Sequence, residues 1–260
     1  MSELQSHPPP LWTRSTLEDP HAVRDKPRRV REMFAAIARC YDLNNRVHSL
    51  WRDEAWRRAA VRAAGVRSGD EVLDLACGTG DLTHAFARRS RAARIVGVDF
   101  TQEMLDLAEH KRSSLHPGLA SRVSYTNADA MTLPFDDASF DVVSIAFGIR
   151  NVLDPEAALR EMHRVLRPGG RLVILEFDRP RLAPVRWFNT LYSATIMPRT
   201  ATWIARDRSG AYRYLPKSIE TFMTSGQLRR AAEGSGFEHA GARSLSLGIC
   251  ACVRATKPVS

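Results

Sequence analysis

Cysteine is scarce. The four present, Cys40, Cys77, Cys250 and Cys252 in 260 residues, have neither the density of a disulfide framework nor zinc-ligand spacing, which fits a reducing cytoplasm and indicates no metal. Long apolar runs are missing as well. The longest stretch without Asp, Glu, Lys or Arg is the 12 residues 187–198, and a membrane-spanning helix needs about 20. No apolar stretch precedes a small-residue cleavage site in residues 1–28, which are polar and hold Pro8, Pro9 and Pro10 in a row, so they read as a disordered tail and not as a secretory signal. Acidic residues are few towards both ends. Residues 1–69 hold 13 Lys/Arg against 8 Asp/Glu, residues 70–178 hold 12 against 17, and residues 179–260 hold 13 against 4. An acidic centre between basic flanks suits a small cationic ligand in the middle and an anionic surface, such as lipid headgroups, at the periphery. A solvated charged surface with no partner is the alternative.

What is present, 44% apolar residues, supplies the core of a single domain over residues 29–260. From residue 71 short apolar runs alternate with amphipathic ones, the rhythm of an α/β domain on a largely parallel sheet. Strands are predicted over 71–75, 95–99, 123–126, 140–146 and 172–177, several as continuous Val/Ile/Leu runs that a strand buried on both faces requires. Helices are predicted over 81–89 and 103–111, and from Asp154 and Pro155 to Leu166, ahead of Pro168, Gly169 and Gly170. Leu228, Ala231 and Ala232 suggest another helix, and 244–253 alternates as a strand with Cys250 and Cys252 on one face. Ahead of the sheet, Val30, Phe34, Ile37 and Ala38, then Trp56, Ala59, Ala60 and Ala63, repeat at helical spacing. Between these two helices, residues 41–51 read as too polar for a core and rich in groups that can hydrogen-bond a ligand.

The segment VLDLACGTGDL sets Asp74 near a strand end and Gly78, Thr79 and Gly80 in the turn into a helix, where small residues let a ligand approach the backbone. A dinucleotide fingerprint would continue GxGxxG, but its third position is Thr83 and the helix opens with anionic Asp81. An acid beside a pyrophosphate is unfavourable, whereas a ligand carrying an ammonium group tolerates it. Asp99, 19 residues beyond Gly80 at the tip of the second strand, stands where a carboxylate can accept hydrogen bonds from both ribose hydroxyls.

Taken in order, the loop at 74–80, Asp99, Asp129 after the third strand and LPFDDASFD leading into the fourth resemble class I S-adenosylmethionine methyltransferases. The resemblance implies a Rossmann-like α/β fold: a mostly parallel seven-stranded sheet with helices on both faces, N-terminal helices, and a helical insertion before the last strands. It implies S-adenosyl-L-methionine as cofactor, held around Asp74, Gly78, Thr79, Gly80 and Asp99, with Asp129 and Ala130 framing the adenine and Ala146 beside the sulfonium. Singly, the glycines would also serve a tight turn and Asp99 a helix cap.

Four further stretches are more specific: YDLNNRVHSLWRDEAW at 41–56, AFGIRNV at 146–152, RVLRPGGRLVILEF at 164–177 and GAYRYLPKSI at 210–219. Together they resemble the ubiquinone/menaquinone biosynthesis C-methyltransferase family over roughly residues 30–257, the last stretch leaning towards the demethylmenaquinone enzymes. The resemblance implies C-methylation of a prenylated quinol, chiefly demethylmenaquinol to menaquinol, by a chain with an N-terminal helical cap (29–68) and a helical substrate-binding insertion (179–217). Asn44, Asp53, Ala146 and Asp178 depart from the family pattern, where a Met, a His, a Ser and a Ser are usual.

The residue types suit the chemistry. A sulfonium methyl is already electrophilic, so the protein must align it with a ring carbon and make that carbon electron-rich by ionising the quinol. Arg150 is the candidate to stabilise the phenolate, with Asn151 as its orienting neighbour; the alternative for Arg150 is an ion pair with Asp154. Tyr41, Asp42 and Asn45 resemble family positions that close over the pocket. Asp42 or His48 is the candidate proton acceptor; the structural alternatives are a packed Tyr41 and a helix-capping Asp42. Tyr212 and Tyr214 are candidate walls of the quinone pocket, or packing within the insertion. Trp187, Phe188, Leu191, Tyr192, Thr195 and Ile196 share a helical face between Arg186 and Arg199, placed either to hold a polyprenyl tail or to rest on the sheet edge. The expected setting is cytoplasmic, with peripheral contact at an anionic inner membrane face; a homo-oligomer is left open. Nucleic acid is not an expected partner, because adenine-modifying enzymes carry (N/D)PP(F/Y) after the fourth strand and this chain has GIRN there. Two other readings stand beside the first: a methyltransferase for another phenol, a sterol or an amine, and a non-catalytic binding protein on the same scaffold.

Overall fold

Strict alternation of apolar side chains divides the centre of the molecule into two cores, one on each face of a sheet. In β5 (Leu166–Phe177), Leu172 and Ile174 enter one core while Val173 and Leu175 enter the other; in β1 (Glu71–Leu75), Leu73 and Leu75 oppose Val72. The structure, a computed structural model, describes residues 11–13, 15–197, 199–200 and 210–259, without the side chains of Ala194 and Ile196. With β2 (Arg94–Asp99), β3 (Val123–Asn127), β4 (Phe140–Ala146), β6 (Glu238–Leu245) and β7 (Cys250–Thr256), the sheet has seven strands in the order β3-β2-β1-β4-β5-β7-β6. The first five are parallel and β7 runs antiparallel to both its neighbours. This is a Rossmann-like α/β sheet.

Helices cover both faces. On one, α2 (Arg52–Ala64) and α3 (Asp81–Arg89) bury Trp56, Ala60, Leu82 and Phe86; on the other, α6 (Pro155–Val165) and α9 (Ser225–Gly234) bury Leu159, Met162, Leu228 and Ala232. Each fully buried large apolar side chain contributes about 1.5–3 kcal/mol relative to exposure. Helix α4 (Gln102–Arg112) packs along β2 and β3, and the short α5 (Pro117–Ala120) leads into β3. A third cluster joins the two ends of the chain. Val30, Met33 and Ile37 of α1 (Lys26–Ser49) meet Tyr212 and Tyr214 of α8 (Ala211–Thr221), with Trp12 among them.

Several expectations are corrected. Residues 11–13 and 15–28 are not a loose tail: Trp12 is fully buried with its ring 4.3 Å from that of Tyr214, and Lys26 is buried at the start of α1. A tryptophan in a polar segment found its apolar partner some two hundred residues away, which no local pattern reports. Residues 1–10, with Pro8 to Pro10, lie outside the described residues. Residues 41–49, expected between two helices and too polar for a core, continue the first helix; Asn44 is buried and donates to the Cys40 carbonyl at 3.2 Å, and the break comes only at Leu50 and Trp51, both with φ in the left-handed region. The predicted strand 244–253 is two antiparallel strands, parted by a turn in which Leu247 has φ 58° and Gly248 φ 94°. Strand β5 begins at Leu166, paired with Phe140 ahead of a register shift.

Candidate active site

The carboxyl ends of β1, β2 and β4 meet where the strand order reverses, and a largely apolar crevice with about 750 Å³ of empty space opens there. Its walls include Ala76 and Gly78 after β1, Asp99 and Phe100 at the end of β2, Asp129 to Met131 after β3, and Ala146 to Gly148 at the end of β4; Pro27, Phe34 and Tyr41 of α1 close it. Asp99 Oδ2 accepts from the Gly78 amide at 2.8 Å and Oδ1 from the Thr101 amide at 2.9 Å. Each oxygen keeps a second lone pair, which is what a vicinal diol needs from a carboxylate. Burial raises the Asp99 pKa, against the pull of those backbone donors. Ala76 has φ 47° and Phe147 φ 56°, a strained backbone for residues with a Cβ, and both stand on the crevice wall. The residues present suit S-adenosylmethionine: a paired acceptor for the ribose, apolar walls with Asp129 for the adenine, and small residues at Ala76, Gly78 and Ala146.

Not all the predicted cofactor residues reach this wall. Gly78, Asp99, Asp129, Ala130 and Ala146 do; Asp74, Thr79 and Gly80 do not. Asp74 is fully buried beneath the loop, accepting from Thr83 Oγ1 at 2.7 Å and Ser144 Oγ at 2.9 Å, and burial pushes its pKa up to about 6. Thr79 donates to Asp42 Oδ1 at 2.6 Å. Gly80 caps α3 with φ 80°, and a Cβ there would overlap the Tyr125 hydroxyl.

Asp42 is likewise placed differently from its expected role. Lys111 donates to it at 2.7 Å and to Asp81 at 2.5 Å, and Arg57 approaches Asp81 at 3.3 Å and Asp53 at 2.6 Å. This chain of ion pairs fastens α1 and α2 to the start of α3. Asp42 lies on neither cavity wall and is held in these ion pairs instead. The other candidate acceptor, His48, also stands off both cavities; its Nδ1 lies 2.9 Å from the Tyr192 hydroxyl and burial lowers its pKa.

A second chamber, about 680 Å³, adjoins the crevice, and Phe34, Tyr41 and Phe147 line both. Asn45, Asp53, Trp56, Arg150, Phe177, Tyr212 and Tyr214 also face it, which brings together the residues predicted to bind the acceptor. Burial raises the Tyr41 pKa, so its hydroxyl keeps its proton. The partner of Arg150 is Glu176 at 2.7 Å, both side chains 5% exposed, and not Asp154, which Arg160 approaches at 3.9 Å. Arg150 Nη1 also donates to the Phe147 carbonyl at 2.6 Å, as does Asn151 Nδ2 at 3.3 Å. Asn151 is itself held by the Tyr214 hydroxyl, which donates to its Oδ1 at 3.0 Å. Arg150 and Asn151 therefore both hold the carbonyl of the strained Phe147. Arg150 Nε and Glu176 Oε2 are buried without a hydrogen-bond partner.

Three contributors escaped the sequence reading. Glu176 interrupts the buried apolar run 172–177, and a carboxylate in such a run needs a cation; that signal was present. Lys26 donates to the carbonyls of Arg150 at 2.9 Å and Val152 at 2.7 Å, and burial, then the charge of Arg150, lowers its pKa to about 8. Phe147, whose ring lies 4.7 Å from that of Phe177, had no distinguishing pattern. The insertion face of Trp187, Phe188 and Leu191 lines neither cavity and lies exposed, so it does not rest on the sheet edge.

Residues 22–257 match the model of the ubiE/COQ5 methyltransferase family. Curated relatives include the "Ubiquinone/menaquinone biosynthesis C-methyltransferase UbiE" of Saccharophagus degradans, 40% identical over 91% of this chain and 94% of that protein, and the protein of the same name from Cronobacter sakazakii, 39% identical over 91% and 93%. Among solved structures, a Thermotoga maritima methyltransferase described as a possible histamine N-methyltransferase superposes with a TM-score of 0.60 at 19% identity, covering 87% of this chain and 98% of that one. At that identity the likeness is one of fold.

Proposed function

The chain belongs to the ubiE/COQ5 methyltransferase family and is an S-adenosylmethionine-dependent methyltransferase, and from that premise we propose that it C-methylates a prenylated quinol, with demethylmenaquinol as its acceptor. The observation that carries this reading is the shared wall: a cofactor crevice and an aromatic chamber meet at Phe34, Tyr41 and Phe147. A flat ring seated among Trp56, Phe177 and Tyr212 has an apolar bed, and Arg150 supplies a positive charge in the same chamber. Bound S-adenosylmethionine supplies an electrophilic methyl group. The protein's own part is alignment and electrostatics. Asp99 anchors the ribose side, the Phe147 turn separates donor from acceptor, and Arg150 offsets the negative charge that gathers on the quinol oxygen as the ring carbon becomes nucleophilic. Asn151 and Glu176 orient Arg150 through the Phe147 carbonyl and the ion pair.

Anaerobic incubation with methyl-labelled S-adenosylmethionine and reduced demethylmenaquinone tests the proposal. Label appearing in menaquinol is the expected result. Its absence, with S-adenosylmethionine binding intact by calorimetry, would refute the acceptor, and preferred turnover of a simple phenol, sterol or amine would replace it.

A further inference from the structure

We propose that the exposed face of the helix after β5 is a docking surface for an anionic lipid bilayer. This rests on the reading that the acceptor carries a polyprenyl tail. Helix α7 (Ala183–Leu191) has no buried residue, although it holds a Trp, a Phe and a Leu. Trp187 is 68% exposed and Phe188 65%, neighbours on an element that would ordinarily sink such side chains into a core, and Leu182 at its N-cap is 59% exposed. Charge completes the pattern. Residues 179–200 contain four arginines and no acid, and neither Arg181 nor Arg186 makes an ion pair with any described residue. Aromatic and leucine side chains interleaved with unpaired arginines are what an interfacial helix presents to headgroups and the acyl boundary.

Position supports the assignment. Tyr192, directly after α7, meets His48 of α1 at 2.9 Å, and α1 is the helix that closes both cavities. A bilayer seated on α7 thus lies beside the cap through which a lipid-borne quinol enters, and its tail can stay in the membrane. No helix among the described residues is long and apolar enough to cross a bilayer, so contact through α7 is peripheral. A second copy fits less well. A two-fold contact through this face would bring together two copies of a segment with four arginines and no acid, a like-charge pairing the segment itself cannot relieve.

Co-sedimentation of the full chain with phosphatidylcholine vesicles, with and without phosphatidylglycerol, tests the proposal without any acceptor present. Wild type is expected to bind the phosphatidylglycerol vesicles, less so as salt rises. The Trp187→Ser/Phe188→Ser pair should lower the partition coefficient at least about tenfold, as the loss of two inserted aromatics requires, while Arg181→Gln/Arg186→Gln should lower it severalfold and flatten its salt dependence. Both variants should keep the native circular dichroism spectrum and turn over a short-chain soluble acceptor at the wild-type rate. Equal vesicle binding by wild type and the aromatic variant would overturn the proposal, as would a wild-type dimer that the variant dissolves. Loss of binding in the variants with no methylation of any quinol by wild type would instead sink the acceptor and leave the docking surface standing.

Discussion

Replacing Glu176 with glutamine leaves the Arg150 guanidinium in the same confined space without its counter-charge. The pair is separated by 2.7 Å, both side chains are 5% exposed, and no other carboxylate forms an ion pair with Arg150 among the described residues. Removing one member of a buried pair typically costs about 3–5 kcal/mol. The glutamine amide can still accept from Arg150 and from the Phe177 amide, which sits 2.9 Å from Glu176 Oε1, so about 3 kcal/mol is expected, the low end of that range. For a chain of this size the midpoint of thermal unfolding should drop by roughly 6 °C, at about 2 °C per kcal/mol. Urea unfolding at neutral pH measures the free energy directly. Arg150→Met added to Glu176→Gln should recover part of the loss, because the uncompensated charge then disappears. Turnover in the single variant should fall while affinity for S-adenosylhomocysteine holds, since the contact disturbed is the one between Glu176 and Arg150, and Arg150 lines the acceptor chamber and not the crevice. A Glu176→Gln protein within about 1 kcal/mol of wild type, with normal turnover, would show that the pair neither stabilises the fold nor positions the arginine.

Asp99→Ala should weaken S-adenosylhomocysteine binding by about 1.5–3 kcal/mol for each ribose hydroxyl deprived of its carboxylate acceptor, read by calorimetry; an unchanged Kd would remove Asp99 from the site. Asp74 has a folded pKa of about 6, above its unfolded value of 3.8, so between these the native state holds the extra proton and stability falls as pH rises through that window, then stays level. Asp74→Asn should abolish a contribution of roughly 3 kcal/mol between about pH 4 and pH 6, seen as a flatter plot of urea midpoint against pH; a slope equal to wild type would contradict the assignment. Gly80→Ala should destabilise by about 2 kcal/mol or more, because φ is 80° and the new methyl overlaps Tyr125, whereas Gly78→Ala, with φ 55° and its nearest neighbour 4.0 Å away, should cost about 1–2 kcal/mol. The reverse order in thermal melts would refute the packing argument.

Local pattern carried much of the architecture. Continuous runs of Val, Ile and Leu marked several of the strands β1 to β5, because a strand buried on two faces admits little else, and the Gly78 to Gly80 turn with Asp99 at the next strand tip marked the cofactor crevice. These features depend on backbone conformation and on neighbours within a few residues, so the chain by itself determined them. Residue types near the GIRN segment also pointed to Arg150 before any geometry was known. Only the tertiary structure decided which polar groups face open space. It buried Asp74 beneath its own loop, gave Asp42 to Lys111, paired Arg150 with Glu176 instead of Asp154, and laid Trp12 on Tyr214. A charged group's partner is the nearest opposite charge in space, and a large apolar ring settles against whichever surface the fold brings to it; both depend on contacts between residues far apart along the chain, which no periodicity encodes.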